Sequence, residues 1–161
     1  MMKSLLSVLA LSAISVIAHA DEGKMPSPPF KSDYGKYEIT GCAGQTFQLD
    51  CKLKSVTIGA ANPDTNPKGK GPSVGFVFKS ETDAIVKSDI WLSASDKYEE
   101  EDDKHTLTTD KTKNTTNWSE ESQEITLDKS DAKEWTLTFV VNRENLGKKI
   151  KRQIEFKIKK K

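Results

Sequence analysis

Hydrophobic and polar positions alternate with a period of two through most of the chain beyond Tyr37. That is the pattern of strands with one face buried and the other exposed. Val56 and Ile58 form one short run, and Val74, Phe76 and Phe78 another. Trp135, Leu137, Phe139 and Val141 alternate strictly against Thr136 and Thr138, while Ile154, Phe156 and Ile158 alternate against Glu155, Lys157 and Lys159. Phe47, Leu49 and Cys51 have the same spacing and are expected to share one strand face. Between positions 84 and 92, Ile85, Val86, Ile90, Trp91 and Leu92 are too dense for alternation, which predicts a strand buried on both faces or carrying a bulge. Thinner runs at 105–109 and at Ile125 and Leu127 complete the set.

The segments between these runs carry turn chemistry. Pro63, Pro67, Gly69, Gly71 and Pro72 exclude a helix or central strand over 62–72 and predict a long surface loop. Turns are expected at 80–83 and at 142–147. The most polar stretch, 93–121, is expected to hold a mobile acidic loop, one thin strand near His105, and a second loop through Asn117. No stretch of useful length has a helical period. The chain therefore reads as all-β: a β-sandwich or open barrel of about eight or nine short antiparallel strands with one disulfide.

The first residues follow a different rule. Lys3 precedes the apolar run from Leu5 to Ala18, and Ala18-His19-Ala20 fits a small-x-small cleavage site, so residues 1–20 are expected to be a signal peptide. Pro26, Pro28 and Pro29 then mark 21–36 as a flexible, proline-rich lead-in, with a single β domain over 37–161. A secreted or periplasmic location follows from that reading, with no membrane span in the mature protein. In such a compartment Cys42 and Cys51, the two cysteines of the chain, are expected to form a disulfide.

Charge adds a local rather than a global feature. Lys and Arg number 25 against 24 Asp and Glu, so bulk charge points to no nucleic acid partner. Asp96, Glu99, Glu100, Glu101, Asp102 and Asp103 form an acidic run, and Lys148, Lys149, Lys151, Arg152, Lys157, Lys159, Lys160 and Lys161 a basic C-terminus. The acidic run lacks the spaced ligands and glycine of a calcium loop, and no metal or cofactor is expected. His105 is the only histidine after the leader and is expected on the surface. With both cysteines oxidised, Ser-His-Asp, Cys-His and zinc chemistries have few residues to draw on.

Two short segments resemble known families. Ser93-Ala94-Ser95-Asp96-Lys97-Tyr98 resembles the Ser-Ala-Ser-Gly loop, with its following tyrosine, of periplasmic lysozyme inhibitors, with Asp96 in place of the glycine. Over those six residues the resemblance implies that Ser95 and Tyr98 reach the carboxylates of a lysozyme cleft. Cys42-x-Gly44-x-x-Phe47-x-Leu49-x-Cys51 is similar in spacing to the start of galactose- or rhamnose-binding egg-lectin domains. The further cysteines and the Tyr-Gly-Arg sugar motif of that family are missing here.

The function expected from these readings is that of a secreted, non-catalytic binding or host-interaction protein, effector-like, which presents loops 62–72 and 93–121 to an extracellular protein or glycan. Its candidate binding residues are Ser95, Tyr98 and Trp118. Asn114 and Asn117 begin overlapping Asn-x-Ser/Thr acceptor sequences. An inhibitor of an extracellular hydrolase such as lysozyme, and a secreted hydrolase using two carboxylates, are the alternatives.

Overall fold

The computed structural model describes residues 27–65, 71–110, 112–114 and 119–161. The expected signal peptide and the start of the proline-rich lead-in lie outside them. The strands are β1 (Gly35–Gln45), β2 (Leu53–Gly59), β3 (Ser73–Ser80), β4 (Ile85–Trp91), β5 (Lys97–Glu101), β6 (Lys104–Thr108), β7 (Thr112–Asn114), β8 (Ser119–Asp128), β9 (Trp135–Asn145) and β10 (Lys148–Lys160). Every pairing is antiparallel, in the order β4-β3-β2-β1-β10-β9-β8-β6-β5, with β7 beside β8. The chain is thus a meander that returns through β10 to pair with its own first strand. The sheet curls into a half-barrel whose two edges are β4 and β5.

Curling follows from where the large side chains point. Phe76 and Phe78 on β3, Phe139 on β9 and Phe156 on β10 all face the concave side and are essentially inaccessible. Phe76 and Phe139 stack edge to face at 5.1 Å although three strands separate them in the sheet, and Phe78 lies 5.7 Å from Phe139. A flat sheet would hold such rings more than a strand spacing apart and leave them wet. Closing the curve buries all four, at about 25 cal/mol for each Å² removed from water. Leu107, Ile125, Leu127, Leu137, Ile154 and Ile158 fill the remaining core, as their period-two spacing predicts.

Four local expectations are corrected. Residues 46–52 form a turn rather than a strand. Gly44 has a φ of 89°, and the Thr46 hydroxyl accepts hydrogen bonds from the amides of Gln48 and Leu49, so the backbone leaves the ladder at Gln45. β4 is an edge strand with Ile85 52% exposed, so its apolar density does not mean burial on both faces. Part of the expected acidic loop is strand β5, which pairs residue for residue with β6. Within the expected flexible lead-in, Pro29, Phe30 and Asp33 are buried: a short 3-10 turn (Lys31–Asp33) follows Phe30, whose ring is fully buried against Phe76 and Tyr98.

Candidate functional site

His105, expected at the surface, is buried. His105 sits on the concave side of β6, 4% exposed, with its ring near those of Phe30 and Tyr98. Its Nδ1–H donates to Asp33 Oδ2 at 2.7 Å, and Lys129 Nζ donates to Asp33 Oδ1 at 2.9 Å. The hydroxyl of Tyr37 donates to the Asp33 carbonyl at 2.6 Å. Asp33, on the N-terminal 3-10 turn, is thereby tied to β1, β6 and the β8–β9 connection. The sequence signal was missed because Asp33 and His105 stand 72 residues apart and each lies in a polar context. Among ionisable groups, burial and the Asp33 charge push the Tyr37 phenol up to about 12. With Asp33 and His105 buried and only Lys129 partly exposed, this network is built to clamp the fold.

The accessible site lies beside the connection that joins the two edge strands. The short connection 92–96 carries the chain from β4 to β5, and between it and residues 27–32 opens a cleft of about 900 Å³. Pro28, Pro72, Leu92, Ala94 and Tyr98 give it an apolar floor, and Lys31 and Glu100 stand at its rim. Each wall is held by a specific bond. Asp96 accepts from the amides of Ser93 and Asp110, both at 2.7 Å, and the amide of Leu92 donates to the Pro72 carbonyl at 2.9 Å. The hydroxyl of Tyr98 accepts from the Phe30 amide at 2.8 Å and donates to Glu100 Oε1 at 2.9 Å. Burial, then the neighbouring Glu100, hold that phenol well above the ordinary tyrosine range.

The candidate residues of the sequence therefore separate. Ser95 is exposed on the 92–96 turn, its hydroxyl 3.0 Å from that of Ser93. Tyr98 belongs to the cleft floor, with its hydroxyl engaged inward. Asn114 lies on β7, where its backbone pairs with Ser119 at the start of β8. Asn117 and Trp118, the second acceptor asparagine and the third candidate binding residue, lie outside the described residues. In the acidic run, β5 sends Glu100 to the cleft side and Glu99 and Glu101 to the other, which spreads the carboxylates instead of converging them. Among the described residues no group of three or more His, Cys, Asp or Glu side chains is placed to hold a metal ion. No helix among them is long and apolar enough to cross a membrane.

The disulfide forms as expected. Cys42 on β1 joins Cys51 in the following turn, with their Cα atoms 5.5 Å apart. It folds the 46–52 turn over one end of the half-barrel, burying Leu49 and laying the Phe47 ring 3.8 Å from the guanidinium of Arg143 and 4.4 Å from that of Arg152. Arg143 is also bound by Glu121 at 2.9 Å.

What the fold and the site define together is a small, disulfide-bonded, all-β half-barrel with a clamped interior and an open cleft beside the connection between its edge strands. The chain matches no protein-family model, and comparison with curated proteins and with solved structures finds no match.

Proposed function

We propose that the protein is an exported, non-catalytic binding protein whose partner is an extracellular protein, seated in the cleft between residues 27–32 and the 92–96 turn. The observation that carries this reading is the preorganised wall of that cleft: Asp96, Tyr98 and the amide of Leu92 each spend their hydrogen bonds on holding it open. Preorganisation removes the ordering cost from the binding step. A volume of about 900 Å³ is within the range of ligand-binding clefts. The floor is mostly aliphatic and proline-lined, and the one ring in it, Tyr98, is packed edge-on against Phe30. That surface suits the apolar side chains of a peptide segment better than the face of a sugar, which stacks on an open aromatic ring.

An inhibitor of an extracellular hydrolase is the second reading. It rests on the exposed hydroxyls of Ser93 and Ser95 at the tip of a rigid turn, while the inward bonds of Tyr98 leave that residue as support for the turn. The test is affinity capture of extracellular proteins by the parent chain and by Ala94→Arg, which fills the cleft from an exposed position without touching the core. A partner retained by the parent and lost by Ala94→Arg at unchanged melting temperature supports the cleft. Equal capture by both chains refutes it. Loss of lysozyme activity on adding the protein, reversed by Ser95→Ala, would move the reading to inhibition.

A further inference from the structure

The last hairpin runs past the end of the half-barrel. β10 and β9 pair from Ile158↔Trp135 out to Lys148↔Asn145, whereas β1 leaves β10 at Gln45↔Gln153. Arg143 and Arg152 lie against Phe47 of the disulfide turn, and positions 144–151 extend past that contact, joined on one side by the start of β8. The connection is a two-residue turn, Leu146-Gly147, with φ of 48° and 77°. Such a turn favours Asn-Gly or Asp-Gly, because asparagine and aspartate tolerate positive φ, and a leucine there is strained. This leucine is also 95% exposed, the most exposed large apolar residue described, and Ile150, close by on β10, is 45% exposed. A residue that is locally unfavourable and buries nothing in the free protein has no account in its stability.

The surrounding charge supplies one. Lys148, Lys149, Lys151 and Arg152 follow within six residues, and no carboxylate occurs between Asn145 and Gln153. All four are exposed, and the three lysines enter no ion pair among the described residues. Of the carboxylates on this arm, Glu144 stands opposite Lys149 across the hairpin, with Glu120 beside it on β8, so the basic residues outnumber the acidic ones here without excluding them. Glu121 is engaged with Arg143. The hairpin end is therefore an apolar point with a collar that is basic on balance, four cations on β10 against Glu144 on β9, although the whole chain is nearly neutral.

We propose that the β9–β10 hairpin tip docks the protein onto an anionic phospholipid bilayer, with Leu146 and Ile150 entering the boundary between headgroups and acyl chains while Lys148, Lys149 and Lys151 pair with lipid phosphates. The collar fits such a surface because each lysine near anionic lipid strengthens attachment about fivefold, and an apolar side chain removed from water adds a term that salt does not screen. A soluble polyanion would match the lysines alone and leave Leu146 in water, so the leucine selects the bilayer. Entry is shallow, since only the turn and the adjoining residues of a pleated hairpin reach past the collar. This docking is independent of the cleft, which lies at the junction of β4 and β5.

The test is co-sedimentation with vesicles of phosphatidylcholine containing phosphatidylserine, compared with phosphatidylcholine alone. Leu146→Asn suits the turn and is expected to fold at least as well as the parent, yet to bind the anionic vesicles about tenfold more weakly. Lys148→Ala and Lys149→Ala are expected to cost about fivefold each and to lessen the salt dependence. The apolar segment at the start of the chain is common to every variant, so the differences report the tip. In Leu146→Trp, added anionic vesicles are expected to shift the new tryptophan's emission to the blue, and brominated acyl chains to quench it. Anionic-vesicle binding that is equal in the parent and Leu146→Asn, absence of binding, or a Leu146→Trp emission unmoved by vesicles overturns the proposal. Binding to a sulfated polysaccharide that is as tight as to vesicles and indifferent to Leu146→Asn overturns it in favour of a soluble polyanion.

Discussion

Asp33→Ala is expected to destabilise the fold by about 2–4 kcal/mol, far more than loss of an ordinary surface charge, because of what it leaves behind. The His105 side chain is 6% exposed and that of Asp33 3%, so removing the carboxylate strands a buried imidazole N–H that water cannot reach. A buried donor deprived of a charged acceptor costs about 1.5–3 kcal/mol. Lys129 is 19% exposed and lies 5.5 Å from the Trp135 ring, so it can turn toward solvent or that ring, and its loss adds at most about 1 kcal/mol. The assay is urea denaturation of parent and variant, with Lys54→Ala as reference. Lys54 pairs with Glu81 across 3.4 Å with both side chains at least half exposed, and its removal is expected to cost under about 1 kcal/mol. Hydrogen exchange supplies the local readout: amides of 30–34 lose protection in Asp33→Ala but keep it in Lys54→Ala. If the two variants lose the same stability, or if 30–34 stays protected without Asp33, the clamp reasoning fails.

Two further outcomes follow from the same geometry. The Tyr37 phenol is raised in the folded state from about 10 to about 12, so the native chain keeps a proton that the unfolded chain has released. Its stabilising contribution is complete below about pH 10 and falls as pH rises toward 12; urea midpoints measured across that range should decline, with a shallower slope in Tyr37→Phe. An unchanged slope would remove Tyr37 from the account. Replacing both Cys42 and Cys51 by alanine is expected to cost about 2.5 kcal/mol for a loop with a sequence separation of 9, measured by the same denaturation, and to free Phe47 from Arg143 and Arg152; a cost near zero would mean that Thr46 and Leu49 hold the turn unaided.

The strands that face the core on one side were legible because burial on a pleated surface imposes period two on the residues themselves. Val74, Phe76, Phe78, Leu137, Phe139, Ile154 and Phe156 all point inward as their spacing predicts. Phe47, Leu49 and Cys51 show the same spacing without forming a strand, because glycine conformation at Gly44 and side-chain capping at Thr46 override it. β4 misled in the opposite direction. It is an edge strand paired with β3 alone, with Ile90 its buried residue, and hydrophobicity alone carries no information about how many neighbours a strand has.

The sequence by itself determined the class of the fold, the disulfide and the turn at 80–83, each a local matter of periodicity, cysteine count or backbone freedom. Only the tertiary structure decided between a sandwich and a curled sheet, since that depends on which strands neighbour one another across long sequence separations. It also decided the environment of every titratable group. Asp33, His105 and Lys129 become one buried network because closing the half-barrel brings together positions up to 96 residues apart. Leu146 becomes an exposed apolar point because its hairpin outruns the strand beside it, a difference in pairing length that no stretch of the chain records alone.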